Sequence, residues 1–426
     1  MRTSVVIVCL QPGEWLQEAV ASVVDQADQV VVVDNGSADG VASVVARRAG
    51  ATVVRSERNL GFAAGVNLGV RHVSGDLVAL LNDDAVARPG WLARAGEVLA
   101  QDPGIAAVTP KILYRTPFRA VGIDAEAWRA DGDARELGRR IARVTVAGRD
   151  VLGQLCGPGI HRLEIDEGGD RWRWSRPGHP VYVPVPPDTP DAEVRIDGEP
   201  AAGPLLRLIN KAGSWLSLDG ILGDAGDREP DDGRFDQPFE HFAASGTALV
   251  VRAETWARVG ELAEPFFAYF EDSDWSWRAR LAGLRIVYDP TEVVEHRQSA
   301  TSGGWATAWV RRWAPANHAA CLLRNAPLRE AWPPVRRHLE DINDDRSRLA
   351  VASRIPWALS TRRELSRGWA LRPDEVWRRW AGVGAPPLPD RPEPTVGPVA
   401  AALEQAWTRV SVTAGRAGIG GRRRLP

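Results

Sequence analysis

Phe266-Phe267-Ala268-Tyr269-Phe270-Glu271-Asp272-Ser273-Asp274-Trp275-Ser276-Trp277-Arg278 holds more potential chemistry than any other stretch of the chain. Three acidic residues follow an aromatic run and open a helical segment. Capping and the helix dipole, which favours negative charge at a helix start, account for one or two of them. A third carboxylate there is poised to take a proton from a hydroxyl as general base. A second acidic group, Asn82-Asp83-Asp84, stands where the apolar run Leu77–Leu81 ends. Asn-Asp-Asp is also a common turn sequence. Carboxylate oxygens are nonetheless natural ligands for Mg2+ or Mn2+, and a departing diphosphate needs such a hard cation to neutralise its charge.

Three further segments admit both a structural and a functional reading. Val30–Val33 runs into Asp34-Asn35-Gly36-Ser37. Ser37 or Asp39 can cap the following helix, or Asp34 can accept hydrogen bonds from a nucleobase or ribose at a sheet's ligand-binding edge. Asn59-Leu60-Gly61-Phe62-Ala63-Ala64-Gly65-Val66-Asn67-Leu68-Gly69 places glycines four apart, which is not the dinucleotide fingerprint. It reads as a helix with a small-residue face against a sheet, with Asn59 and Gly61 placed to let backbone approach a diphosphate. In Glu295-His296-Arg297 the lone histidine suits a structural role, but its place after a strand of the same sheet makes it a candidate metal ligand.

The elements that must position these groups alternate between strand and helix over the first hundred residues, the pattern of βαβ units with a parallel sheet. Strands are expected at Val5–Cys9, Val30–Val33, Thr52–Val54 and Leu77–Leu81, with helices at Trp15–Asp25, Asp39–Ala49 and Ala63–Val73. From about Arg143 to Pro200 short polar–apolar alternations are separated by Gly and Pro, as in Arg143–Val146, Arg162–Asp166, Arg171–Trp174 and Glu193–Asp197. That texture predicts small antiparallel strands. Strand and helix return with Ala248–Arg252, Ala253–Val259, an amphipathic helix at Ser273–Ala282, and a strand at Leu284–Tyr288. After Thr301 the chain is helical and rich in Trp and Arg, Pro386–Pro398 reads as a linker, and Gly415–Pro426 as a loose basic tail. No internal repeat is visible.

A length of 426 residues, with 44% hydrophobic and 25% charged content, is ordinary for a globular protein with a large core. A net charge of -2 argues against general nucleic-acid binding, which needs a strong basic excess. Lys111 and Lys211 are the only lysines, so arginine carries nearly all the positive charge. Cys9, Cys156 and Cys321 are far apart, neither a disulfide framework nor a zinc spacing, and fit a reducing cytosol. With no signal-peptide pattern and no apolar run of roughly 20 residues, the expectation is a soluble cytoplasmic protein, at most attached to the inner face of a membrane. Trp305, Trp309 and Trp313 recur every four residues beside Arg311 and Arg312. Such a stripe fits core packing, in a helix that Pro315 ends early, or docking on a membrane surface. The aromatic and basic stretches Trp369 to Arg372 and Trp377 to Trp380 leave the second reading open.

Taken in order, Val5–Leu10, Asp34–Ser37, Asn59–Asn67, Leu81–Asp84, Gly246-Thr247-Ala248, Glu271–Arg278, His296 and Arg324-Asn325 resemble the family-2 glycosyltransferases, especially their rhamnosyltransferase-like branch. The likeness covers roughly residues 1–115 and 210–325. It implies an α/β GT-A fold, a single Rossmann-like nucleotide-diphospho-sugar transferase domain, with inversion at the anomeric carbon. The expected organisation is a nucleotide-sugar half at 1–116, a β-rich insertion at 117–208, an acceptor half at 209–300, a helical region at 301–385, and linker and tail from 386. The resemblance implies that Asp34 contacts the base and that Asp84, with His296, holds the metal. Asn82 stands where many members have an aspartate. Asp272 is implied as the base, with Glu271 and Asp274 supporting it. Asn59, Gly61, Asn67, Asn82 and Asp83 are assigned to the donor side, and Trp275, Trp277 and Arg278 to the acceptor. The partners implied are a nucleotide-diphosphate sugar and a glycan or lipid-linked acceptor, with rhamnose a guess from the branch alone. An inactive glycan- or nucleotide-binding protein is the alternative. A sugar nucleotidyltransferase is rejected, because Leu10-Gln11-Pro12-Gly13-Glu14-Trp15 lacks the Gly-rich basic phosphate loop.

Overall fold

Val5, Ile7 and Cys9 of the first strand, β1 (Thr3–Cys9), point into one core, and Val6 of the same strand points into another. A strand with apolar residues at every position must be covered on both faces, which is how a parallel strand inside a layered α/β sheet is built. The computed structural model describes residues 1–186, 189–297, 307–342 and 344–383. They fall into two compact units, Met1–Tyr114 with Ile209–Asp227 and the chain from Phe235 onward, and Arg115–Leu208 with Arg228–Arg234.

In the first unit, β2 (Gln29–Asn35), β3 (Thr52–Ser56) and β4 (Leu77–Leu81) extend β1 in parallel, giving the order 3-2-1-4. Ala248–Arg252 joins β4 antiparallel and pairs on its other side with β6 (Ile105–Tyr114), which follows the short β5 (Ala85–Ala87). Arg285–His296 lies parallel to β6 and antiparallel to β5. Helices α1 (Glu14–Val23), α2 (Val41–Arg48) and α4 (Trp91–Gln101) cover one face of the sheet. The other face takes α3 (Phe62–Val70), α5 (Ala253–Val259) and α6 (Glu271–Leu281). Gly65 and Gly69 let α3 lie tight on the strands, since a Cβ would come within 2.7 Å of Val8 and 2.4 Å of Val6.

The expected strand Leu284–Tyr288 is in fact one strand of 12 residues that ends at His296. A register shift between Asp289 and Val293 lets the strand pass Pro290. Nor is α6 amphipathic. Every residue from Asp274 to Leu281 is buried, because Trp275 faces the sheet while Trp277 and Leu281 face the C-terminal helices. Those are α7 (Ala308–Asn325), α8 (Leu328–Asp341), α9 (Asp345–Leu365) and α10 (Pro373–Trp380). Pro315 does not end α7 but sits inside it, so the helix gives up one internal hydrogen bond while burying most of its residues from Ala314 to Asn325. Trp313, Trp369, Trp377 and Trp380 pack into this helical core, and Trp377 stacks on Trp277 at 6.3 Å. Trp305, the linker and the tail lie outside the described residues. Among the described residues no helix is long and apolar enough to cross a membrane.

The second unit is a set of small antiparallel sheets, including Val144–Val146 with Val194–Ile196 and Phe118–Val121 with Val181–Pro184, around a core of Val, Ile and Leu side chains. It matches the strand texture expected there.

Candidate active site

A cavity of about 640 Å³ opens over the carboxyl ends of β1, β2 and β4, where an open α/β sheet offers a ligand site. Asn82, Asp83 and Asp84 form the turn leaving β4, pinned by Asn82 N–H donating to the Thr247 carbonyl at 2.9 Å. Asp84 carries its side chain to His296, with Oδ1 and Nε2 3.1 Å apart, and its carbonyl accepts from Arg297 N–H at 3.0 Å. The other ring nitrogen of His296 lies 2.8 Å from Asn210 Oδ1. An Nδ1–H donated to Asn210 leaves Nε2 with a lone pair, facing a carboxylate oxygen that also has only lone pairs. Such a pair is stable when a positive charge is shared between them.

Asp83 lines the same cavity, and its side chain hydrogen-bonds the Cys9 thiol. Burial, and then Asp83 itself, push that thiol far above its usual pKa and leave Cys9 inert. Asn82 Oδ1 is buried without a hydrogen-bond partner among the described residues. Within that set, no group of three or more His, Cys, Asp or Glu side chains could hold a metal ion. Asp84 and His296 could supply two ligands to a hard cation, whose other positions substrate phosphates and water would fill.

Glu271 and Asp272 face the same cavity from the first turn of α6. Asp272 is fixed by Gly246 N–H to Oδ2 at 2.9 Å and Ser273 N–H to Oδ1 at 2.6 Å. Glu271 is buried, and its Oε2 has no hydrogen-bond partner among the described residues. Burial, and then the neighbouring Asp272 charge, push the Glu271 pKa from 4.5 to about 8. Glu271 is therefore protonated at neutral pH.

On the opposite wall, Asn35 ties the loop before α3 together. Its side chain donates to the Gly61 carbonyl at 3.1 Å and accepts from Leu60 N–H at 2.9 Å. Asn59 Oδ1 accepts from Gly61 N–H at 2.8 Å. Gly61 has φ +84°, and a Cβ there would sit 2.5 Å from Phe267, so only glycine fits.

Several expected site residues lie elsewhere. Asp34 is fully buried, with Oδ1 taken by Ser37 N–H and Oδ2 by Ser43 N–H and hydroxyl. Burial raises its pKa, but hydrogen bonds from Ser43 and Ser37 outweigh that and hold the carboxylate ionised. Its carboxylate orders the turn, and the neighbouring Asn35 faces the cavity instead. Asn67 is buried and exchanges hydrogen bonds with the Leu262 backbone at 2.9 and 3.0 Å. Asp274 is fully buried, accepting from Arg278 at 2.9 Å, Arg324 at 2.7 Å and Asn325 at 2.8 Å. It joins α6 to α7, which is the structural meaning of Arg324-Asn325. Trp275 stacks on Trp256 at 5.6 Å, Trp277 meets Phe242 at 5.2 Å, and Arg278 holds the Val259 and Glu261 carbonyls. All three are core, so the assignment to the acceptor does not fit their burial.

The sequence reading passed over other residues. Lys211 lines the cavity and pairs with Asp224 at 2.8 Å. Burial lowers its pKa, but the charges of Asp224 and Asp272 more than offset this, so the ammonium stays charged. Its rarity in an arginine-dominated chain was the available signal. Phe267, Tyr269 and Phe270 also line the cavity and have positive φ of 65°, 68° and 74°. Such conformations cost on the order of 1–3 kcal/mol each and persist only when neighbours enforce them. Asn317, fully buried on α7, supplies that enforcement by donating to the carbonyls of Phe266 at 2.8 Å and of Ala268 and Tyr269 at 3.0 Å. No local pattern announces a clamp 50 residues downstream.

Residues 4–137 match the model of Glycosyl transferase family 2. Over 363 residues it is 26% identical to an N-acetylglucosaminyl-diphospho-decaprenol L-rhamnosyltransferase of Mycobacterium tuberculosis, covering 82% of this chain and 93% of the relative. Over 112 residues, 24% of this chain, it is 34% identical to an undecaprenyl-phosphate 4-deoxy-4-formamido-L-arabinose transferase of Sodalis glossinidius, and there it spans 34% of that relative's length. Among solved structures, GalNAc-T7 with UDP, GalNAc and Mn2+ aligns with a TM-score of 0.49 and 12% identity, over 85% of this chain and 55% of that one. The family and the mixed, doubly covered sheet together give the GT-A fold implied by the sequence.

Proposed function

We propose that this family-2 glycosyltransferase moves a sugar from a nucleotide-diphosphate donor to an acceptor hydroxyl in one displacement, with inversion, and requires a divalent cation. The observation that carries the reading is that the Asp84–His296 pair and the anchored Asp272 open onto one cavity. Asp272 takes the acceptor hydroxyl's proton as that oxygen bonds to the anomeric carbon, and the bond from that carbon to the diphosphate oxygen breaks. Gly246 and Ser273 N–H groups aim the carboxylate at the cavity. Glu271, protonated below about pH 8, adds no second negative charge beside the base. Asp84 and His296 would hold Mg2+ or Mn2+, which when bound neutralises charge developing on the diphosphate. Asn35, Asn59 and Gly61 shape the donor side, within residues 1–116. The acceptor half spans 209–300.

The rhamnosyltransferase relative matches most of both chains, which favours a lipid-linked diphospho-sugar acceptor and a deoxysugar such as rhamnose. A cytoplasmic site of action, against the inner membrane face, fits that acceptor. Thermal-shift screening of nucleotide diphosphates with and without Mn2+, followed by donor consumption, tests the reading. Stabilisation by one nucleotide diphosphate only with metal is the expected result. Metal-independent binding with no donor consumption would instead indicate an inactive binding protein.

A further inference from the structure

Phe267, Tyr269 and Trp309 form an aromatic cluster on the cavity wall, with Trp309 5.4 Å from the Phe267 ring and 6.3 Å from the Tyr269 ring. We propose that this cluster is a stacking shelf for an uncharged pyranose of the acceptor, in a position that delivers its hydroxyl to Asp272. The proposal rests on the glycosyltransferase reading above.

Aromatic residues usually end in a core. Here Trp309 remains 36% exposed, and Phe267 and Tyr269 are only partly buried. Their backbone is held in an unfavourable conformation by the Asn317 clamp rather than relaxed into packing. Strain kept by a dedicated buried side chain at a cavity wall marks a surface set for a ligand. Neither 267–270 nor 307–310 contains a charged residue, whereas the cavity also holds Asp84, Asp272 and Lys211. A pyranose matches that contrast, since its axial C–H face lies on π surfaces while its hydroxyls reach polar groups at the edge. The shelf belongs to the segment that runs directly into Asp272, so a ring stacked on Tyr269 lies on the base's side of the cavity. The donor loop holds the other side through Ala63 N–H, which donates to the Phe267 carbonyl at 3.1 Å.

The test is saturation-transfer NMR on the full chain with diamagnetic Mg2+ and the best nucleotide diphosphate, using methyl β-glucopyranoside, methyl N-acetyl-β-glucosaminide and methyl α-rhamnopyranoside as probes. Farnesyl phosphate serves as a lipid probe without sugar. At least one pyranoside should receive saturation on its ring C–H protons. Trp309→Ala and Tyr269→Ala should each weaken its binding about tenfold, while Trp309→Phe and Tyr269→Phe largely restore it. Thermal stabilisation by nucleotide and metal is read in every variant, so a failed glycosyltransferase reading shows as loss of that signal in the wild type. Nucleotide stabilisation with no pyranoside contact, or with equal contact in both alanine variants, overturns the shelf. So does contact by farnesyl phosphate alone.

Discussion

Replacing Glu271 with glutamine should change how stability depends on pH more than it changes the structure. The side chain is buried, its Oε2 has no hydrogen-bond partner among the described residues, and Asp272 is its neighbour. Its pKa is 4.5 when solvated and about 8 when folded. A carboxyl raised in the folded state binds its proton more tightly than the unfolded chain does. The stability it contributes is fully present below 4.5 and is lost as pH rises through about 8. Glutamine has the shape of the protonated acid and does not titrate. Relative to their offset at low pH, Glu271→Gln should exceed the wild type by about 1 kcal/mol at pH 5, about 3 at pH 7 and about 5 at pH 9. These are upper figures, because water reaching the charged form would reduce them. Urea unfolding of both proteins at the three pH values, without nucleotide or metal, measures the divergence. Stability curves that stay parallel to within about 1 kcal/mol would refute the claim that Glu271 is protonated at neutral pH.

Four further outcomes follow from the structure. Asp84→Ala should abolish transfer and remove the Mn2+-dependent part of nucleotide-diphosphate stabilisation, so undiminished activity of that variant in chelator would exclude the cation site. With Asp84 and His296 as the proposed ligands and no larger cluster among the described residues, Mn2+ alone should bind weakly and tighten with the nucleotide, which calorimetry in both orders of addition would show. Asp272→Asn should lower kcat by about 10²–10⁴ while the donor still binds, and near-wild-type turnover would move the base to Glu271. Asp274→Ala should destabilise the fold by about 3–5 kcal/mol, because Arg278 and Arg324 lose a buried counter-charge. Burial raises the Asp274 pKa, but Arg324 and Arg278 lower it further, below 3.8. Its contribution therefore holds above that value and fades only in strong acid, and unchanged thermal unfolding of the variant at neutral pH would contradict the network.

The acidic motif shows what the sequence could and could not reveal. The strands were readable because β1, β2 and β4 must bury both faces and so appear as apolar runs that end at polar turns. The cavity carboxylates were readable because Asp84 follows the apolar strand β4 and Asp272 opens a helix after an aromatic run. What misled was α6. Glu271, Asp274, Trp275 and Arg278 follow the i, i+3, i+4, i+7 spacing of one helix face, and that face is buried. A stripe containing two carboxylates and an arginine does not look like core. It becomes one only because Arg324 and Asn325, 50 and 51 residues after Asp274, provide the partners. Glu271, at the cavity end of the stripe, and Asp272, one residue off it, both line the cavity. The charges that do chemistry and the charges that hold the helix are thus told apart by about 100° of helical rotation per residue and by a partner helix that no local pattern reveals.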